Sequence, residues 1–271
     1  MKITLLDGPL GTQLIEQGHP CPAPAWSAAT LTGAPQAVSS IHAAYAQAGA
    51  RVHTTNTFRT RPDAVGPQWA ALAEEAVKLA RKAIPKTHKV AGSIAPLADC
   101  YRPDLSPPNP GPKHAALAQI LAKQGVDILL CETFPHIDEA VAAAAAAIET
   151  GVETWVSFTA GPDASLLNPE QIRKGAQRVI ELGASAVLVN CIPASQTERF
   201  VHAIADLGVP FGAYANAGHP DEGLGWTPSV DGPEHYADFA ETWVALGATL
   251  IGACCGTGPS HIRALHERLC R

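Results

Sequence analysis

Asp127-Ile128-Leu129-Leu130-Cys131-Glu132 is a short apolar run that closes on a carboxylate, followed by the alanine-rich segment Glu139–Thr150 and then a second run, Thr154–Phe158. Runs of this length bounded by polar residues read as buried strands, and the alanine-rich stretch between them reads as a helix packed against a sheet. Together they make a strand, a crossover helix and a parallel strand. The unit repeats along the chain, with runs at Ile3–Asp7, Arg51–Asn56, Lys89–Ile94, Asp127–Glu132, Thr154–Phe158, Ala186–Cys191, Pro210–Tyr214 and Thr249–Cys254. A further helix, Pro169–Leu182, opens with Asn168-Pro169 as N-cap and first helical residue. About eight such units predict an α/β fold of the (β/α)8 TIM-barrel type, one domain over residues 1–271.

An open doubly wound sheet is the competing architecture. Gly8-Pro9-Leu10-Gly11, after the first run, lacks the dinucleotide spacing, and no Walker-type lysine follows a glycine loop. The 271 residues, 46% of them hydrophobic, suffice for one large core. A net charge of −6 without a basic cluster argues against nucleic acid, and no apolar stretch is long enough for a bilayer. Asp7 arrives too early for a signal peptide, so a cytoplasmic location is expected. The oligomeric state is not legible.

Three long connections rich in Pro or Gly, Gly18–Ser27, Arg102–Pro112 and Ala217–Gly232, are expected after strands, on the barrel face that carries active sites. Seven cysteines without a secretory signal point to reduced thiols or metal ligands. Cys21, Cys100, Cys131 and Cys270 have no partner at ligand spacing and read as small hydrophobes. Gly252-Ala253-Cys254-Cys255-Gly256-Thr257-Gly258-Pro259 is different. Adjacent cysteines point to opposite sides of a strand, so joint use requires the chain to leave β geometry there, which Gly256 eases. Cys191, at another strand end, supplies a third thiol at the barrel mouth.

The chain resembles the homocysteine S-methyltransferases over nearly its whole length. The likeness rests on Asp7-Gly8-Pro9-Leu10-Gly11-Thr12-Gln13-Leu14, Trp26-Ser27, Thr55-Asn56-Thr57-Phe58, Glu132-Thr133, Asn190-Cys191 and Cys254-Cys255-Gly256-Thr257-Gly258-Pro259. The resemblance implies one Zn²⁺ on Cys191, Cys254 and Cys255, homocysteine as methyl acceptor and methionine as product. A selenol or another small thiol would satisfy the same chemistry. It also assigns Asp7 and Glu132 to the substrate ammonium and backbone amides of the Gly8–Gly11 turn to its carboxylate. Pro9 stands where many relatives carry glycine and removes one such amide. Thr55, Asn56 and Asn190 lie in the same motifs and are expected at the substrate.

Three thiolates on Zn²⁺ leave a net charge of −1 and one open position, a setting that deprotonates a substrate thiol yet keeps its sulfur nucleophilic. Trp26 and Trp226, on two of the long loops, either offer aromatic faces to a cationic methyl donor or serve as aromatic anchors for their loops. A sulfonium such as S-methylmethionine is favoured over methylfolate, because no folate or cobalamin module is attached. Asn216 is a further strand-end amide that orients a ligand or a loop. None of the eleven histidines shows ligand spacing, and His261 and His266 read as ordinary positions on the last helix. A zinc-free barrel lyase or isomerase with a phosphate on the Gly256-Thr257-Gly258 turn is the rival reading.

Overall fold

All eight runs form strands: β1 (Thr4–Leu5), β2 (Val52–Thr54), β3 (Lys89–Ile94), β4 (Ile128–Phe134), β5 (Glu153–Phe158), β6 (Ala186–Pro193), β7 (Phe211–Asn216) and β8 (Leu250–Ala253). The coordinates are a computed structural model that describes residues 2–218 and 232–270. The strands pair in parallel in the order β1-β8-β7-β6-β5-β4-β3-β2. A bridge between Leu6 and Val52 closes the ring, and the Asp7 amide donates to the Val52 carbonyl at 3.0 Å. The expected (β/α)8 barrel is the observed fold.

Strand alternation builds two cores. Leu6, Val52, Ala91, Ile128, Leu130, Trp155, Ala186, Leu188, Tyr214 and Leu250 fill the barrel interior. Their neighbours, among them Leu5, Val90, Leu129, Val156, Val187 and Ile251, face outward and pack under the helices. No side chain fits at Gly212, where an added Cβ would lie 1.7 Å from the Leu250 carbonyl oxygen on the adjacent strand.

The helices described are α1 (Leu10–Glu16), α2 (Thr30–Gly33), α3 (Pro35–Ala48), α4 (Pro62–Val65), α5 (Trp69–Ala83) and α6 (Gly111–Lys123). They continue with α7 (Ile137–Ile148), α8 (Pro169–Leu182), α9 (Ala194–Ile204), α10 (Gly232–Ala245) and α11 (Pro259–Leu269). Helix α8 has the expected bounds because its ends are chemically marked. Asn168 and Gln171 exchange side-chain to backbone hydrogen bonds at 2.9 Å, and Gly183 takes φ 112° at the C-cap. Helix α7 starts two residues earlier than expected, where His136 Nδ1 accepts from the Glu139 amide at 3.2 Å.

One expectation is corrected. The Gly8–Gly11 segment is not a plain turn, because Leu10 starts α1 and Gly11 lies inside it. The Gly18–Ser27 loop therefore follows a helix instead of a strand. The reason lies in Pro9, whose φ of −71° suits a helix entry. Most of the Ala217–Gly232 connection, residues 219–231 with Trp226, lies outside the described residues. Among the described residues, no helix is long and apolar enough to cross a membrane.

Candidate active site

Two strands break register at the barrel mouth, β4 between Cys131 and Phe134 and β6 between Asn190 and Pro193. Each break holds a non-glycine residue at positive φ, Thr133 at 62° and Cys191 at 51°. This conformation costs energy and persists only where neighbours impose it. Asn190 does so: its Oδ1 accepts from the Thr133 amide (3.0 Å) and Ser157 Oγ (2.7 Å), and its Nδ2 donates to Thr133 Oγ1 (2.7 Å). Asn216 Nδ2 donates to the Cys191 carbonyl at 3.1 Å from the other side. The two bulges re-aim Cys191 toward the mouth.

Strand β8 ends at Ala253, so Cys254 and Cys255 sit in a turn, with Gly256 at φ 79°. The turn is pinned by the Cys254 amide on the Ala215 carbonyl (2.8 Å) and the Ala217 amide on the Cys255 carbonyl (2.9 Å). The three sulfurs of Cys191, Cys254 and Cys255 lie within 4.8 Å of one another, and Cys254 and Cys255 are 4.0 Å apart. Tetrahedral zinc with Zn–S bonds of about 2.3 Å needs sulfurs roughly 3.8 Å apart, so this donor set fits a zinc ion. Hydrogen bonds from the Cys254 and Cys255 thiols, and from the Tyr101 hydroxyl at 3.1 Å, hold the Cys191 thiol well below its usual range. The same sharing pushes Cys254 and Cys255 up. Three thiols converging this closely form a candidate cation site.

Across the mouth, burial pushes Glu132 up to about 7 and Asp7 up to about 8. Asp7 accepts from the Thr54 amide (2.9 Å) and Thr54 Oγ1 (3.0 Å). Glu132 accepts from Ser93 Oγ and, at 3.4 Å, from the Tyr214 hydroxyl. Two desolvated carboxylates in one cleft favour a ligand that carries positive charge.

The thiols and carboxylates line a single cleft of about 760 Å³, counting its open mouth. Gly8, Thr55, Asn56 and Trp26 line it too, as the sequence leads one to expect. Asn190 does not: it is fully buried beneath the bulges, its side chain spent on Thr133 and Ser157. Asn56 lines the cleft while its Nδ2 donates to the Ser27 carbonyl at 2.9 Å. Trp26 meets Phe58 edge-on with centroids 6.0 Å apart, and the Arg59 guanidinium lies 5.2 Å from the Phe58 centroid.

Sequence reasoning missed Thr54, Phe58, Cys100, Tyr101 and Tyr214 in the lining. Cys100 is a buried thiol, pushed up to about 12 by desolvation, yet it borders the cleft. Tyr101 arrives on the connection after β3. Glu139 of α7 holds that connection by accepting from the Leu97 amide (2.8 Å) and Ser106 Oγ (2.6 Å). Tyr214 was legible as a polar-tipped residue in an otherwise apolar strand.

The Gly256-Thr257-Gly258 turn is no phosphate cradle. Its amides already donate, to Thr12 Oγ1 (3.4 Å), to the Cys254 carbonyl (3.2 Å) and to His261 Nδ1 (3.1 Å).

Three converging thiols beside two buried carboxylates at the mouth of a (β/α)8 barrel make the candidate active site of an enzyme. The homocysteine S-methyltransferase family model matches residues 4–269, and the chain belongs to that family of methyltransferases. It is 32% identical to the homocysteine S-methyltransferase of Escherichia coli, over 98% of this chain and 95% of that protein. It is 26% identical to a selenocysteine Se-methyltransferase of Brassica oleracea, over 98% of this chain and 88% of the relative. The metallated form of the E. coli homocysteine methyltransferase MmuM superimposes with a TM-score of 0.83 at 28% identity, over 99% of this chain and 96% of that one.

Proposed function

We propose that the chain moves a methyl group from a small sulfonium donor, S-methylmethionine first, to homocysteine, giving methionine in the cytoplasm. The observation that carries this reading is the convergence of three thiols and two buried carboxylates on one cleft. Cys191, Cys254 and Cys255 hold Zn²⁺. Bound there, the ion would supply Lewis acidity that lowers the pKa of the substrate thiol, whose proton leaves to solvent.

Asp7 and Glu132 take the substrate ammonium, an ion pair strengthened by the low dielectric of the cleft. Thr54 fixes Asp7, and Ser93 with Tyr214 fixes Glu132, so both carboxylates are oriented before substrate arrives. Backbone amides at Gly8, Leu10 and Gly11 face the substrate carboxylate. A Cβ at Gly8 would lie 2.7 Å from the Tyr45 hydroxyl, so only glycine lets this segment pack against Tyr45 of α3. The substrate sulfur attacks the donor's methyl carbon in line: the new S–C bond forms, the old one breaks, and the sulfonium leaves as a neutral thioether. Trp26 and Phe58 offer aromatic surface to that cation. Asn190 positions Cys191 through the bulges. The Brassica relative's name extends the acceptor class to selenols.

The test is a screen of homocysteine with S-methylmethionine, S-adenosylmethionine, betaine and methylfolate, scored for methionine. Turnover with a sulfonium is expected. Turnover with methylfolate alone would overturn the donor assignment.

A further inference from the structure

A second cavity, of about 660 Å³ counting its open mouth, lies next to the active-site cleft, between the start of α5 and the first turns of α6. Among the described residues it shares only Phe58 with the cleft, so that ring is the wall between the two. Trp69, Leu97 and Leu117 give it apolar sides, and the buried residues Thr57, Thr60 and His114 form its floor. The chemistry proposed above uses none of these side chains.

The polar groups of the floor are spent, with one exception. Thr57 Oγ1 donates to the Ser93 carbonyl at 2.7 Å, and Thr60 Oγ1 to the Thr57 carbonyl at 3.0 Å. His114, only 2% exposed, meets Glu139 Oε1 through Nε2 at 3.3 Å. Burial pushes Glu139 up, but hydrogen bonds from His114, Leu97 and Ser106 outweigh it and hold the carboxyl below its usual range. An ionised carboxylate only accepts, so His114 Nε2 donates, and Nδ1 is the open position of a ring that lines the cavity. A buried polar atom without a partner costs free energy that a ligand can recover. A hydroxyl suits this one, because it both donates and accepts.

The mouth carries charge. Arg61 and Lys113 line it with one carboxylate, Asp63, which accepts from Arg61 Nε at 3.0 Å. Exposed Lys113 is then the surplus positive charge. The amides of Lys113 and His114, in the first turn of α6, donate to the Pro110 carbonyl at 3.1 and 3.2 Å, so an anion here is held by side chains.

We propose that this cavity is a second ligand site, shaped for a small aromatic carboxylate with a hydroxyl at its far end. The ring lies among Trp69, Phe58 and Leu117, the hydroxyl meets His114 Nδ1, and the carboxylate sits at the mouth beside Lys113 and Arg61. The apolar walls supply most of the affinity and the two polar ends supply the selection. The site is independent of the methyl-transfer assignment, because of its residues only Phe58 borders the cleft.

The experiment titrates 4-hydroxybenzoate, as the probe, into the ¹⁵N-labelled full chain and follows the tryptophan indole N–H signals. Trp69 is assigned by its loss in Trp69→Phe, and Trp26, in the cleft, by its loss in Trp26→Phe. The Trp69 signal should shift and saturate with a Kd of about 1 mM or tighter, as a ligand of roughly ten heavy atoms allows. Benzoate, without the hydroxyl, and 4-hydroxybenzamide, without the charge, should each bind about fivefold more weakly. Lys113→Glu, a change at an exposed position, should weaken 4-hydroxybenzoate about tenfold and leave 4-hydroxybenzamide unchanged. No Trp69 shift at about 20 mM probe, or equal affinity for the three compounds, would overturn the proposal. So would a Lys113→Glu chain that binds the carboxylate as the wild type does. A shift at Trp26 with Trp69 unmoved would place the probe in the cleft and overturn it too.

Discussion

The Tyr101 hydroxyl lies 3.1 Å from Cys191 Sγ, so the one thiol held at positive φ is also the one stabilised by a hydroxyl donor. A hydrogen bond to a charged group contributes about 1.5 to 3 kcal/mol. In the metal-free protein, Tyr101→Phe should therefore raise the Cys191 titration by at least about one pH unit. Alkylation rate against pH measures it, and an unshifted profile would remove Tyr101 from the thiol's environment.

Glu132→Ala should weaken the amino-acid substrate without loss of metal, since the proposed partner of the carboxylate is the ammonium. The cost in kcat/KM should be about 2 to 4 kcal/mol. Metal content and kcat/KM measured on one preparation separate this role from metal ligation.

The carboxylates also set a pH dependence. Burial raises the folded-state values of Glu132 and Asp7 to about 7 and about 8, so both become fully ionised only as pH rises through that window. Their contribution to the stability of the unliganded chain is fully present below the ordinary carboxylate values of 3.8 and 4.5, falls progressively as pH rises from there, and is gone once pH has passed the folded-state values. Binding of 2-aminobutyrate, which has the ammonium but no thiol, should strengthen from pH 6 to pH 8.5 and release protons near neutrality. Calorimetry in buffers of different ionisation enthalpy reads both. Affinity independent of pH would contradict the ion-pair assignment.

Asn190 predicts a different phenotype. Asn190→Ala strands the buried Thr133 amide and Ser157 hydroxyl and frees the bulge that aims Cys191. Unfolding free energy should fall by about 2 to 4 kcal/mol, with metal affinity reduced in the surviving fold. Wild-type denaturant midpoints would refute this role.

Much of this architecture is legible in the sequence, because apolar runs and capping residues act locally. Asn168, Gln171 and Gly183 mark α8 to the residue, and strand-end positions bring Asp7, Glu132, Cys191, Cys254 and Cys255 to one mouth. What escapes reading depends on the third dimension. Tyr101 reaches Cys191 only because Glu139, from a later helix, anchors its loop. Asn190 shares a motif with Cys191, yet the bulge turns it inward.

The most direct test is metal content with X-ray absorption, read beside activity. The account predicts about one zinc per chain, three sulfur ligands at about 2.3 Å, and loss of both metal and turnover when Cys191 is changed to serine. A metal-free preparation with full methyltransferase activity would contradict it.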